Sequence, residues 1–180
     1  VVKSANVSGR NVTLQAGIAI GETKGAVVVP TNIDPRNLTD EMKVALASAE
    51  RPDIVVTDST ITVLRRAPVN FSALDAFNAS VTAAPVAGTD IGSAFLASMG
   101  SAGLGTIDVT GETRIKVRGS ITNASLASSP LQTGNLVLEA VYGGIGYVPG
   151  SGVNAGQSQP LRLNLRDGAT LTARASDNIE

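Results

Sequence analysis

One phrase occurs twice and constrains what the rest of the chain can fold into. Near the N-terminus Asn11-Val12-Thr13-Leu14-Gln15-Ala16 is followed by Ile20-Gly21. Far downstream Asn135-Leu136-Val137-Leu138-Glu139-Ala140 is followed by Ile145-Gly146. In each copy the apolar residues fall on every second position, the period at which the side chains of a strand point to opposite faces. A looser copy closes the chain, Ala169 to Ala173 with Asn178-Ile179 after it, and another sits mid-chain as Ser80 to Ala83 with Asp90-Ile91 after it. Short strands that recur between turns, none able to bury its apolar face alone, predict a stacked solenoid.

Composition fits thin layers better than a thick globule. Aromatics are 3% of the 180 residues and Trp is absent, so the core must be built from Val, Ile, Leu and Ala. The net charge is −1 and the Lys and Arg residues are scattered, which argues against nucleic acid or an anionic membrane as partner. There is no Cys, so folding cannot depend on disulfides. No apolar run approaches membrane-spanning length, and no membrane insertion is expected. Val1-Val2-Lys3-Ser4 resembles neither a signal peptide nor an initiator segment, so the chain reads as a piece of a longer protein.

In chain order, the first phrase is followed by Ala26-Val27-Val28-Val29, a strand stopped by Pro30 and read as part of a second coil. A helix is predicted over about 40–50. Thr39 can cap it, Asp40 and Glu41 suit the positive end of its dipole, and Met42, Ala45, Leu46 and Ala49 recur at helical spacing before Pro52. In the segment 66–78, Phe71, Leu74 and Phe77 fit one face of a short helix, while Ala67 to Phe71 equally fits an extended rung; a strand is the expectation. Short strands then dominate, and Leu161 to Leu165 alternates before a turn at Asp167-Gly168.

Several stretches together carry a resemblance. They are Gly9 to Ala16, Leu38 to Glu41 running to Leu46 to Arg51, Ile115 to Ile121, Gly134 to Ala140 with Gly143 to Gly146, and Pro160 to Leu163 running to Leu171 to Ala175. In these the chain resembles the large filamentous-haemagglutinin-like exoproteins of Gram-negative bacteria. The resemblance implies export by two-partner secretion, location outside the cell or on its outer surface, and a long parallel β-helix serving as an adhesin or carrying a toxic tip. The expected fold is therefore all-β: a right-handed parallel β-helix over residues 1–180, with one short α-helical insertion at 30–52. Its coils would stack about 4.8 Å apart, each strand pairing with the coils above and below. The inward column should contain Val12, Leu14, Leu136, Leu138, Leu163, Leu165 and Leu171, and the outward one Thr13, Gln15, Glu139, Arg162 and Asn164.

Catalysis is hard to place on these residues. Without His or Cys the usual triads, thiol nucleophiles and zinc sites lose an essential member, so no metal, cofactor or catalytic residue is assigned. Carboxylate chemistry remains, because parallel β-helices also host polysaccharide lyases and hydrolases, and Asp90, Asp108, Glu112, Asp167 and Asp177 are the groups to weigh. Outward positions of a coil are normally polar, so a solvated face is the plainer reading of each. Gly103 to Asp108 and Gly150 to Gly156 lack the spacing of calcium-binding and dinucleotide motifs and read as turns. Asn6, Asn11, Asn37, Asn70, Asn78 and Asn123 each have Ser or Thr two residues on. That is the glycosylation pattern, and it is also what a polar strand face produces unprompted.

The expected role is a non-catalytic structural or adhesive segment. The alternatives are a carbohydrate-active β-helix and a self-assembling extracellular filament or matrix subunit. Partners would be neighbouring coils of the same protein, a host-cell or matrix receptor, and other copies head to tail. The helical excursion breaks the repetition of the coils, so the candidate interaction face is Asp40, Glu41, Lys43, Ser48 and Glu50.

Overall fold

The computed structural model describes residues 7–48, 54–124, 131–148 and 156–180. The elements, in order, begin with β1 (Val7–Ala16), β2 (Glu22–Pro30), a 3-10 turn at Pro35–Asn37, α1 (Asp40–Ser48), β3 (Ile54–Val56), β4 (Thr60–Ala67) and β5 (Val69–Val81). Then follow β6 (Ala94–Ser98), β7 (Ala102–Val109), β8 (Thr113–Val117), β9 (Ile121–Asn123), β10 (Leu131–Thr133) and β11 (Leu136–Ala140). The last are β12 (Tyr147–Val148), β13 (Gln157–Ser158), β14 (Leu163–Leu165) and β15 (Leu171–Ala175). They form two compact units, one made of residues up to Gly21 with those from Pro68 onward, the other of Glu22–Ala67.

The first unit holds a curled ten-stranded sheet whose pairings are all parallel. Its rungs stack in three ladders. In one, β6, β8, β11 and β15 pair without a register shift, so that Leu96, Ile115, Leu138 and Ala173 superpose. In the second, β1, the end of β5, β7, β10 and β14 superpose Ala16, Val81, Val109, Thr133 and Leu165. The third aligns Ala102, Ile121, Ile145 and Ile179. Three successive passes visit the ladders in one order: β7, β8, Ile121; β10, β11, Ile145; β14, β15, Ile179. This is mostly-β architecture compatible with a β-helix.

Alternation within each strand places one apolar column inside. Leu96, Leu104, Ile107, Ile115, Leu136 and Leu138 are at most 1% exposed. Phe71 and Phe77, both buried, stack with ring centroids 3.8 Å apart on β5, so the segment is a strand as expected from Val69 onward, while 66–67 end β4; Leu74 is turned to solvent. A polar pair sits in the core as well. Thr113 and Thr133 hydroxyls lie 2.7 Å apart, and Thr133 donates to the Gly111 carbonyl at 3.1 Å, which satisfies hydroxyls that burial would otherwise penalise.

The repeated phrase is reused at two different ladders. Asn11 to Ala16 lies in the second ladder, in register with Ala76 to Val81, so the N-terminal and mid-chain copies are true neighbours. Asn135 to Ala140 begins at the turn into the first ladder, where Leu136 pairs with Leu171 of the closing copy. The shared feature is the corner that follows. Gly21, Gly92 and Gly146 all take left-handed conformations, with φ of 76°, 83° and 74°, which glycine adopts without a Cβ penalty.

Other expectations are corrected. Leu171 keeps its register but is 48% exposed, because no rung covers β15 on its outer side among the described residues. Val12, Leu136 and Leu138 are buried as expected, and Leu14, Leu163 and Leu165 pack partly buried against the core. Thr13, Gln15, Arg162 and Asn164 are exposed. Gly103 and Gly105 are not turn residues: both lie within β7, Gly105 where its register shifts against β5. A Cβ at Gly105 would collide with Asn78 Oδ1, which accepts the Thr106 N–H at 2.8 Å. Most of the glycine-rich stretch 150–156 lies outside the described residues.

The strand Val27 to Val29 is not part of a coil. β2 pairs antiparallel with β4, and β4 with β3, in a separate three-stranded sheet. α1 covers one face of it: Val27, Val29, Val63 and Ala45 are buried together, with Met42 and Leu46 packed against them. Thr39 caps the helix as expected, accepting the Met42 N–H at 3.2 Å. The expected insertion at 30–52 thus falls inside a larger unit, Glu22–Ala67.

Candidate functional site

The outward side of the second ladder carries a polar column. Where Ala16, Val81, Val109, Thr133 and Leu165 point in, the preceding residues Gln15, Ser80, Asp108, Gln132 and Asn164 stand in register on the other face. Each successive strand advances them by about 4.8 Å. Asp108 accepts a hydrogen bond from Arg166 Nη2 at 3.3 Å. The side chains of Gln15, Ser80, Gln132 and Asn164 have no hydrogen-bond partner among the described residues.

Gln132 and Asn164 of this column line one hollow, and a second lies at the adjoining corner. The first, of about 390 Å³, lies against Gln132, Asn164, Arg166 and Asp167. The other, about 480 Å³, shares Arg166 and Asp167 and follows the same corner across rungs, past Asn135 and Glu112, with the loop from Pro85 to Ile91 as its far wall. Local bonds shape each part. The Thr110 hydroxyl donates to the Ala83 carbonyl, and Gly92 N–H to Ile18 at 2.8 Å, pinning the loop at both ends. Within the loop, Thr89 Oγ1 donates to the Val86 carbonyl at 2.9 Å and accepts from the Ile91 N–H at 3.2 Å. Asn135 Oδ1 accepts from the Thr170 N–H at 2.9 Å and from its hydroxyl at 3.1 Å, so the Asn135 amide group is oriented. The Asp167-Gly168 turn forms as expected, closed by Ala169 N–H to the Arg166 carbonyl at 3.0 Å.

The weighed carboxylates divide. Glu112 and Asp167 line the groove, and Asp108 joins them through Arg166. Glu112 is paired with Arg114, whose guanidinium lies 6.0 Å from the Phe95 ring centroid. Asp90 lies in the wall loop outside the lining, and Asp177 follows β15 at another corner, its N–H bonded to Gly143. No aromatic ring lines the groove among the described residues. The exposed Tyr142 sits elsewhere, 5.3 Å beneath the Arg118 guanidinium.

The expected helix face is split in the same way. Asp40, Glu41 and Lys43 are exposed on α1, but Lys43 Nζ reaches Asp40 at 3.5 Å and Glu41 pairs with Arg65 at 2.7 Å. Ser48 closes α1, and Glu50 lies outside the described residues. Of the asparagines with the acceptor pattern, Asn78 and Asn123 use their amide groups on Thr13 and Pro160. Asn11 and Asn37 are exposed, and Asn6 lies outside the described residues.

Sequence reasoning weighed Asp108 and placed Gln15 and Asn164 outward but did not single out the column. The only signal was alternation; nothing in it aligned residues 15, 80, 108, 132 and 164, because the loops between rungs differ in length. Among the described residues no group of three or more carboxylates, His or Cys is placed to hold a metal ion, and no helix is long and apolar enough to cross a membrane. No family model, curated protein or solved structure matches the chain.

Proposed function

We propose that this chain is a segment of a right-handed parallel β-helix and works as a structural, adhesive part of a large exported protein of the filamentous-haemagglutinin-like kind, outside a Gram-negative cell. The observation that carries the reading is the repeated order of the three parallel ladders, with one apolar column running through them. Such a column lets length be added rung by rung without a thicker core. Right-handedness is supported by the general handedness of connections between parallel strands, which holds in about 98% of cases. The adhesive role rests on the resemblance in the β1, β8, β11 and β15 stretches and on the faces that the rungs hold toward solvent.

Beads coated with the protein should adhere to cultured epithelial cells or to deposited matrix. The triple variant Asp40→Ala, Glu41→Ala, Lys43→Ala asks whether α1 is the contact. Lost adhesion with an unchanged circular dichroism spectrum assigns the helix, and unchanged adhesion moves the contact to the ladders. Beads that adhere no better than albumin-coated ones would end the adhesive reading.

A further inference from the structure

We infer that the polar column of the second ladder and the groove beside it form a binding track for an extended, neutral polysaccharide chain, held without being cleaved. The inference rests on the ladders themselves and stands apart from the adhesive, extracellular reading.

Four observations converge on this ligand class. First, the track is axial. Its polar groups recur once per strand, about 4.8 Å apart, and its groove follows one corner through successive turns, so it matches a polymer rather than a single small molecule. Second, the exposed groups are of the right kind and unused. The carboxamides of Gln132 and Asn164 each offer both a donor and an acceptor, as sugar hydroxyls require, and neither has a partner among the described residues. Asn135 is held by Thr170 through its oxygen, which leaves its amide N–H groups pointing away from that bond.

Third, the charges beside the track are largely balanced. Asp108 is bridged to Arg166 and Glu112 to Arg114, and Asp167 adds a negative charge, so no excess of positive charge is present to draw a polyanion. Fourth, the corner groove next to the column, joined to its hollow through Arg166 and Asp167, offers apolar side chains, Pro85, Val86 and Ile91, for the C–H face of a sugar ring. An extended peptide would suit the column less well. The ladder strands at this face already spend their backbone groups on each other, so what they present is side chains and no free strand edge.

The test titrates the protein with cellohexaose and xylohexaose, with glucose and heparin as contrasts, following heat. Binding of at least one hexasaccharide is expected, with glucose much weaker at equal sugar-unit concentration. The double variant Gln132→Ala, Asn164→Ala replaces exposed side chains and should keep its circular dichroism spectrum. It should weaken hexasaccharide binding about tenfold, the loss of two hydrogen-bonding groups. Thr172→Ala, on the outward side of the other ladder, should leave binding unchanged. Absence of binding to both hexasaccharides overturns the inference, as does binding that the double variant leaves intact. Stronger binding to heparin overturns the neutral-chain assignment, and equal competition by a twelve-residue Gly-Ser peptide overturns the sugar assignment. New reducing ends appearing during the titration would overturn binding without cleavage.

Discussion

The two compact units bury apolar surface by different devices. In the ladder unit the inward side chains of the inner rungs lie between equivalent side chains of the rungs on either side, and Phe71, Phe77, Leu96, Leu104, Ile115 and Leu138 reach 0–1% exposure. In the Glu22–Ala67 unit one helix covers one face of a three-stranded antiparallel sheet, and the buried set is Val27, Val29, Ala45 and Val63. The uncovered face there carries Val28, Thr62 and Val55 in one cross-strand row, with Val28 49% and Val55 51% exposed. Parallel stacking therefore buries with every added rung, whereas a sheet covered on one side is limited by the helix that covers it.

The comparison can be broken first in the ladder core. Leu138→Asp puts an unpaired charge between Ile115 and Ala173, and should cost about 3–5 kcal/mol. Urea unfolding reads this directly, and a small shift would mean that the column is not shared between rungs. Thr133→Val removes a donor to Gly111 and strands the Thr113 hydroxyl, at about 1–3 kcal/mol. The double variant with Thr113→Val should cost less than the sum of the single ones, since both polar partners are then gone.

In the smaller unit, Val63→Ala deletes two buried methyl groups, about 1.5 kcal/mol at about 0.8 per carbon. Amide exchange in β2 and β4 should quicken while that in β8 and β11 does not. Equal quickening in both regions would erase the distinction between the units. Thr13→Asp, on the outward face of β1, should shift stability by no more than about 0.5 kcal/mol. A loss approaching that of Leu138→Asp would mean that the register of β1 is wrong.

The helix was legible because its signals are local: Thr39 caps it, and Met42, Ala45 and Leu46 face the sheet at helical spacing. The size of its unit was not, because Val27 to Val29 alternates as well in an antiparallel pair as in a coil. The repeated phrase was legible as strand and corner, but its two main copies serve different ladders, since one alternating word suits any face of a coil. Gly105 resembled a turn residue and instead makes room for Asn78, a neighbour 27 positions away in sequence.

The sequence by itself determined which residues of each strand are apolar on one side and polar on the other, where the corners fall and where the helix starts. These depend on residues within a few positions of each other. Only the tertiary structure decided which strand stacks on which. First-ladder rungs begin at Ala94, Thr113, Leu136 and Leu171, so their spacing is irregular and no sequence period marks them. The polar column is a product of that stacking. Its register is fixed by inward packing of neighbours such as Val109, Thr133 and Leu165, while Asp108, Gln132 and Asn164 follow on the outside because adjacent strand residues must face opposite ways.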